Sequence, residues 1–320
     1  MEMFAADRHL MKIALVALSS LAMALGSGVF AADEPSWTVG ELVVTAKARG
    51  PVLWRVAKGG SELWILGALP NMPRNQAWNT ARVERVVTGA NVVLTRPRAT
   101  LDLFTVIGLL THLNLPRGKT LDQELSPDLE AHFAHARALA GTSAARYARL
   151  KPVWAAWRLL ADYYGAAKLS YTEPQDTLVR LASRHHTPVR PVATYRAKPV
   201  VRNFETMTDA EGQACLADAV SDIEHDSMHA AAAAKAWAAG DLRAVREHYG
   251  EPAFRLCLEE APSFVALRDR SVDDTVAAID AALARPGKSV AIFPLGDLLR
   301  DGGALQRLRA QGAIITAPES

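Results

Sequence analysis

The hydrophobic pattern opens with two apolar runs, Val52-Leu53-Trp54-Arg55-Val56 and Leu63-Trp64-Ile65-Leu66, separated by Lys58-Gly59-Gly60. Aromatic and β-branched runs on either side of a Gly-Gly turn predict an antiparallel hairpin, with Trp54 and Trp64 placed to pair across it. A short helix over Ala81 to Thr88 and a strand at Val92-Val93-Leu94 follow. Apolar residues then recur at three- and four-residue spacing over Asp128 to Ala140, Trp154 to Ala166 and Pro174 to Ser183, which predicts helices. Val189 to Ala193 reads as a strand. Further helices are predicted over Asp209 to His229, Ala231 to Ala239, Leu242 to Tyr249 and Val272 to Ala284, the last closed by Pro286-Gly287. Ser289 to Phe293 has the continuous apolar character of a buried strand. A helix over Gly303 to Ala310 and a strand over Ala313 to Thr316 complete the pattern. Strands at both ends with helices between predict an α/β (α+β) fold. Its mixed central sheet is flanked by helices, with a helical middle section, and the two halves of the sheet come from distant parts of the chain.

Ahead of this pattern lies a different one. Met11-Lys12 precedes an apolar stretch from Ile13 to Val29 that ends in Phe30-Ala31-Ala32. A basic start, a short apolar middle and small residues at the end predict a signal peptide over residues 1–32, with translation starting at Met1 or at Met11. An uncleaved anchor is the rival reading, although the apolar core is short for a spanning helix. Residues 33–50, with Leu42-Val43-Val44, read as a leader, and residues 51–320 as a single domain. No later apolar run reaches membrane length without charges. The mature chain is therefore expected in the periplasm or secreted, with no transmembrane helix. In such an oxidising compartment Cys215 and Cys257 can pair, or they remain two separate buried thiols.

Composition changes the picture only by exclusion. The 320 residues are 50% hydrophobic and 22% charged with a formal net charge of +2, and charges of both signs are interspersed. That excludes a disordered chain and gives no basic stripe for nucleic acid.

Taken in order, several segments resemble the TraB/GumN family, which is similar to the Tiki metal-dependent proteases. They are Pro51 to Val56, then Trp64-Ile65-Leu66-Gly67 ahead of Pro73 and Trp78, then Leu150-Lys151-Pro152 before a helix. Trp237 with Gly240-Asp241, Arg268, Val290 to Phe293, Gly296, Gly303, Leu308 and Gly312 continue the series. The resemblance implies a TraB/GumN-like fold. It also implies a divalent-metal hydrolase whose ligands come from two Gly-x-x-His motifs at strand ends and a glutamate after the third strand. Imidazole and carboxylate there would hold a transition metal and activate its water.

This sequence departs from that pattern at each position. The first motif reads Gly67-Ala68-Leu69-Pro70, and proline has no side-chain donor or acceptor. The third strand runs into Thr95-Arg96, neither of them acidic. The second motif reads Pro294-Leu295-Gly296-Asp297, leaving one carboxylate. Gly67, Gly296 and Arg268 keep the residue types that the resemblance implies, whereas Asp269 stands where asparagine is usual. The expected function is that of a catalytically degenerate hydrolase acting by binding, with Arg96, Asp297 and Arg268 around the old cleft and no cofactor. The alternatives are a divergent metal-dependent peptidase or hydrolase with a relocated zinc, manganese or cobalt site, and an envelope assembly protein.

Other constellations have plainer readings. Asp218, Asp222, His225 and His229 fall on one helical face, which is either a metal site built on Asp222, His225 and His229 or a solvated face opposite Leu216, Val220 and Ile223. His132 and His135 near Glu130 read as surface side chains. His185-His186 suit a helix C-terminus. No Gly-x-Ser-x-Gly occurs, and Gly287-Lys288-Ser289 lacks the upstream glycine of a phosphate loop. Trp154 and Trp157 have the spacing of packed helix residues. Arg96, Arg98, Arg268 and Arg270 read as exposed, either as plain solvated charges or, as the family resemblance implies, around the old cleft, where a basic lining would favour an anionic ligand or a peptide carboxylate.

Overall fold

The computed structural model describes residues 50–102, 105, 112–170, 172–250, 252–259 and 262–316, with the side chains at 199, 200, 203, 262–264 and 268 left out. The expected signal peptide over residues 1–32 and all of the expected leader but Gly50 lie outside the described residues.

The sheet begins with the hairpin. Strands β1 (Leu53–Lys58) and β2 (Ser61–Ala68) pair antiparallel from Leu53 opposite Leu66 to Lys58 opposite Ser61. Gly59 and Gly60 form the turn with φ of 59° and 85°, the left-handed pair that a two-residue hairpin turn requires. The register sets Trp54 opposite Ile65 and Arg55 opposite Trp64, so the two tryptophans stand on opposite faces and do not pair. Trp54 is fully buried, whereas the Trp64 ring nitrogen donates to Glu62 at 3.1 Å. Alternation places residues an odd number of steps apart on opposite faces, and the turn fixes that step.

Two short ladders stand apart from this sheet: β3 (Met72–Pro73) with β6 (Leu169–Ser170), and β5 (Arg98–Thr100) with β8 (Thr194–Arg196). Strands β4 (Val93–Thr95), β7 (Val189–Pro191), β9 (Lys288–Pro294) and β10 (Ile314–Thr316) join the hairpin in a six-stranded sheet ordered β10-β1-β2-β9-β4-β7. Strand β9 runs parallel between β2 and β4, with Gly67 opposite Phe293 and Leu94 opposite Ala291. Its apolar run is buried throughout, as a strand covered on both faces must be. Strands β2, β9, β4 and β7 are mutually parallel, so their C-terminal ends share one edge.

The helices are α1 (Ala81–Val87), α2 (Leu121–Glu124), α3 (Pro127–Leu139), α4 (Pro152–Ala166), α5 (Glu173–Arg184) and α6 (Lys198–Thr206). There follow α7 (Asp209–Ala239), α8 (Leu242–His248), α9 (Ala253–Glu259), α10 (Pro262–Leu283), α11 (Leu295–Leu299) and α12 (Ala304–Ala310). The chain is thus α/β, with a mixed sheet and a helical middle section. Among the described residues no helix is long and apolar enough to cross a membrane.

Two differences from the pattern have simple causes. The break expected between His229 and Ala231 is absent: α7 runs unbroken for 31 residues, because Ala230 to Ala234 are the strongest of helix formers. Helix α10 begins at Pro262, ten residues ahead of the expected start, its periodicity hidden by the exposed charges at Asp269 and Arg270. Helix α9 gave no separate signal.

One apolar cluster lies around the sheet and a second fills the helical middle. Helix α7 enters both, with Ala233, Ala234 and Trp237 in the first and Cys215, Leu216, Ala219 and Ile223 in the second. Cys215 on α7 and Cys257 on α9 stand at disulfide distance, with Cα atoms 5.4 Å apart. The Trp237 ring nitrogen donates to the Gly67 carbonyl at 2.7 Å, a buried bond that ties α7 to the end of β2. Gly67 itself is dictated by close approach, since a Cβ there would lie 2.5 Å from Leu295 Cδ2 and 2.7 Å from Trp54 Cζ3.

A thiol titration and three stability comparisons check this fold. Thiol titration under denaturing, non-reducing conditions is expected to find no free thiol, and replacing both cysteines by alanine to lower stability by about 3–4 kcal/mol. Gly67→Ala should lower it by about 1–3 kcal/mol through overpacking. Trp237→Phe should cost a comparable amount, roughly 1–3 kcal/mol, by removing a buried donor.

Candidate functional site

The shared edge of the parallel strands opens into a cleft. Past the end of β2 the chain places Pro70. Past β4 it places Arg96, and past β9 it turns at Pro294 into α11, which carries Asp297. Pro70, Arg96 and Pro294 line one chamber of about 850 Å³ counting its open mouth. Arg96 and Pro294 also line a smaller recess with Asp297, Ser271 and Thr275. The positions singled out from distant parts of the sequence therefore meet in one place, with Thr95 buried just beneath them. Gly67 and Gly296 lie buried in the strand end and the helix turn that build the floor.

Apolar side chains make most of the chamber wall: Trp157, Leu160 and Tyr164 from α4, and Phe254 and Leu258 from α9. Trp154 and Trp157 both pack on Phe204, at 5.0 Å and 6.0 Å between ring centroids, and Trp157 also meets Phe254 at 5.9 Å. The tryptophan pair thus joins the core to the cleft wall.

Charge gathers on the floor. Arg255 on α9 lies 3.8 Å from Asp297 and 3.6 Å from Glu259, which is 1% exposed. Burial works against the charge on Arg255, but Glu259 and Asp297 outweigh it and strengthen its hold on its proton. Burial pushes the Asp297 carboxyl up to about 6, even though Arg255, Arg300 and Arg96 pull it down. Arg96 donates to Gln175 at 3.4 Å, and burial weakens its hold on its proton, offset in part by Asp297 and Asp176. Burial also pushes the Tyr249 hydroxyl, on the chamber wall, up to about 12.

Helix α7 carries the polar series read from the sequence, and its members are occupied separately. Asp222 accepts from the Ala253 and Phe254 amides at 2.7 Å and 3.0 Å, capping α9, and burial pushes it up to about 7 against those two donors. His225 donates to the His248 carbonyl at 3.2 Å and lies 4.5 Å from the His229 ring. Asp222 and His225 are thus anchors for the 248–254 segment rather than a solvated face. Among the described residues no group of three or more His, Cys, Asp or Glu side chains is placed to share a metal ion.

The remaining expectations divide. Arg96 lines the chamber instead of standing in solvent, because β4 ends inside the cleft. Arg98 and Arg270 are exposed and line neither space, with Arg270 paired to Asp274 at 3.5 Å. Arg268 falls on α10, and its side chain lies outside the described residues. His132 is exposed and pairs with Glu224 at 2.9 Å, and His135 is also exposed. His185 pairs with Glu84 at 3.1 Å.

Sequence reading missed Arg255, Glu259, Asp226 and Asn71. The first two had a signal: an Arg and a Glu four apart, enclosing the apolar Leu256 to Leu258, mark a buried pair. Asn71, directly after Pro70, donates to Asp226 at 2.6 Å, and burial pushes Asp226 up to about 7. That contact spans 155 positions and had none.

A folded-state carboxyl raised above its unfolded value binds protons more tightly when folded. Its stabilising contribution is full below the unfolded value of 3.8 and is lost as pH rises through about 7. Wild type compared with Asp226→Asn by denaturant unfolding should therefore lose relative stability between about pH 4 and pH 7 and hold level above.

The family model described as the TraB/PrgY/gumN family matches residues 52–317, from the first residues of the sheet to the end of its last strand. No curated protein and no solved structure matches. With the cleft built on the strand ends that this match spans, the chain belongs to the TraB/PrgY/gumN family.

Proposed function

We propose that this protein is an exported member of its family that acts by binding an anionic ligand in the cleft rather than by metal-dependent hydrolysis. The observation that carries this reading is the donor set at the strand ends. Pro70 offers no ligand atom and Arg96 brings a guanidinium. The one carboxylate, Asp297, lies among Arg255, Arg96 and Arg300. At the strand tips themselves two of the three family ligand positions carry no metal donor and Asp297 is already engaged by guanidiniums, so the residues present do not fit the metal that the family resemblance implies. Export rests on the apolar segment from Ile13 to Val29 with its small-residue end and is consistent with a cysteine pair at disulfide distance.

Two outcomes test the reading. The mature protein, purified without chelator, is expected to carry metal far below one ion per chain. Its peptidase turnover should equal the buffer blank with or without chelator. Stoichiometric zinc, manganese or cobalt together with chelator-sensitive turnover would overturn the proposal in favour of a relocated hydrolase site.

A further inference from the structure

Resting on that binding reading, we infer the class of ligand: an aliphatic or aromatic apolar body that ends in a single carboxylate. The chamber wall is mostly apolar with a few charged groups set into it, the make-up of a small-molecule site. Trp157, Leu160, Phe254 and Leu258 offer surface suited to an apolar body. Arg96 and Arg255 enter from two different walls, one from the end of β4 and one from α9. The planar fork of a guanidinium matches a carboxylate bidentately, and with five N–H donors one that already serves a partner can serve a second.

The charge around these arginines limits the ligand to one negative group. Asp297 and Glu259 flank Arg255, Asp176 is near Arg96, and Asp222 lines the chamber at its α9 end. A polyanion would meet repulsion from these carboxyls, a cation would meet the guanidiniums, and an uncharged apolar molecule would leave the charged floor desolvated without compensation. Two sources share the required chemistry: a medium-chain fatty acid and the free C-terminus of a hydrophobic peptide.

Titration calorimetry on the full mature protein tests this with decanoate, 1-decanol, acetate, and a short leucine-rich peptide with either a free or an amidated C-terminus. Decanoate or the peptide acid is expected to bind, with the alcohol or the amide about ten-fold weaker and acetate weaker still. Arg96→Met should weaken the acid about ten-fold and leave the alcohol unchanged. Arg255→Met would strip Glu259 of its counter-charge and threaten folding, so Ala161→Leu, which fills the chamber from α4, is the second variant and should abolish binding of the acid. Alcohol binding equal to acid, or an unaltered affinity in Ala161→Leu, would overturn the inference. Acetate binding as tightly as decanoate would overturn it too, while leaving anion binding itself intact. Failure of every anion to bind would sink both. Whichever acid binds more tightly identifies the source.

Discussion

The constraint on which the architecture depends is the parallel seating of β9 between β2 and β4. A strand from near the end of the chain becomes the centre of a sheet begun some two hundred residues earlier, and its parallel pairing requires a crossover connection. The helical middle supplies that crossover. Parallel alignment then puts the ends of β2, β4 and β9 on one edge, the usual place for a ligand cleft in such sheets. Position and chemistry separate here: the sheet decides where side chains meet, and the residues at the tips decide what the meeting can do.

Helix α7 holds the cleft together along its length. Cys215 stands against Cys257, Asp222 caps α9, His225 holds the His248 carbonyl, Asp226 takes the Asn71 amide, and Trp237 holds the Gly67 carbonyl. Two of these grips fall on α9, and the others fall on the end of α8, on Asn71 after β2 and on β2 itself. The polar face that looked solvated in sequence is therefore a row of fasteners, and its half-buried acids follow from that duty rather than from acid-base chemistry.

What could be read in the sequence was what local periodicity and residue type carry. The Gly59-Gly60 hairpin, the apolar run of β9 and the three middle helices all have short-range signals, and their ends lie within a few residues of expectation. The grouping of Pro70, Arg96 and Asp297 came from family resemblance; in the structure Pro70 lines one space and Asp297 the other, with Arg96 shared by both. The opposite faces of Trp54 and Trp64 were implicit in the turn length and needed only a strict count of alternation. The Asn71–Asp226 contact was beyond reach, because nothing local records which helix face a strand end will meet. Arg255 sat between these cases, its pairing with Glu259 readable and its approach to Asp297 not.

The fastening of Gly67 has an evolutionary corollary. Backbone ladders, one indole and a glycine fixed by close contact keep the strand tip in place, and none of them asks anything of the side chain three residues on. The scaffold can thus tolerate a change of side chain at position 70 without loosening, so the shape of the mould and the chemistry set into it are free to vary separately.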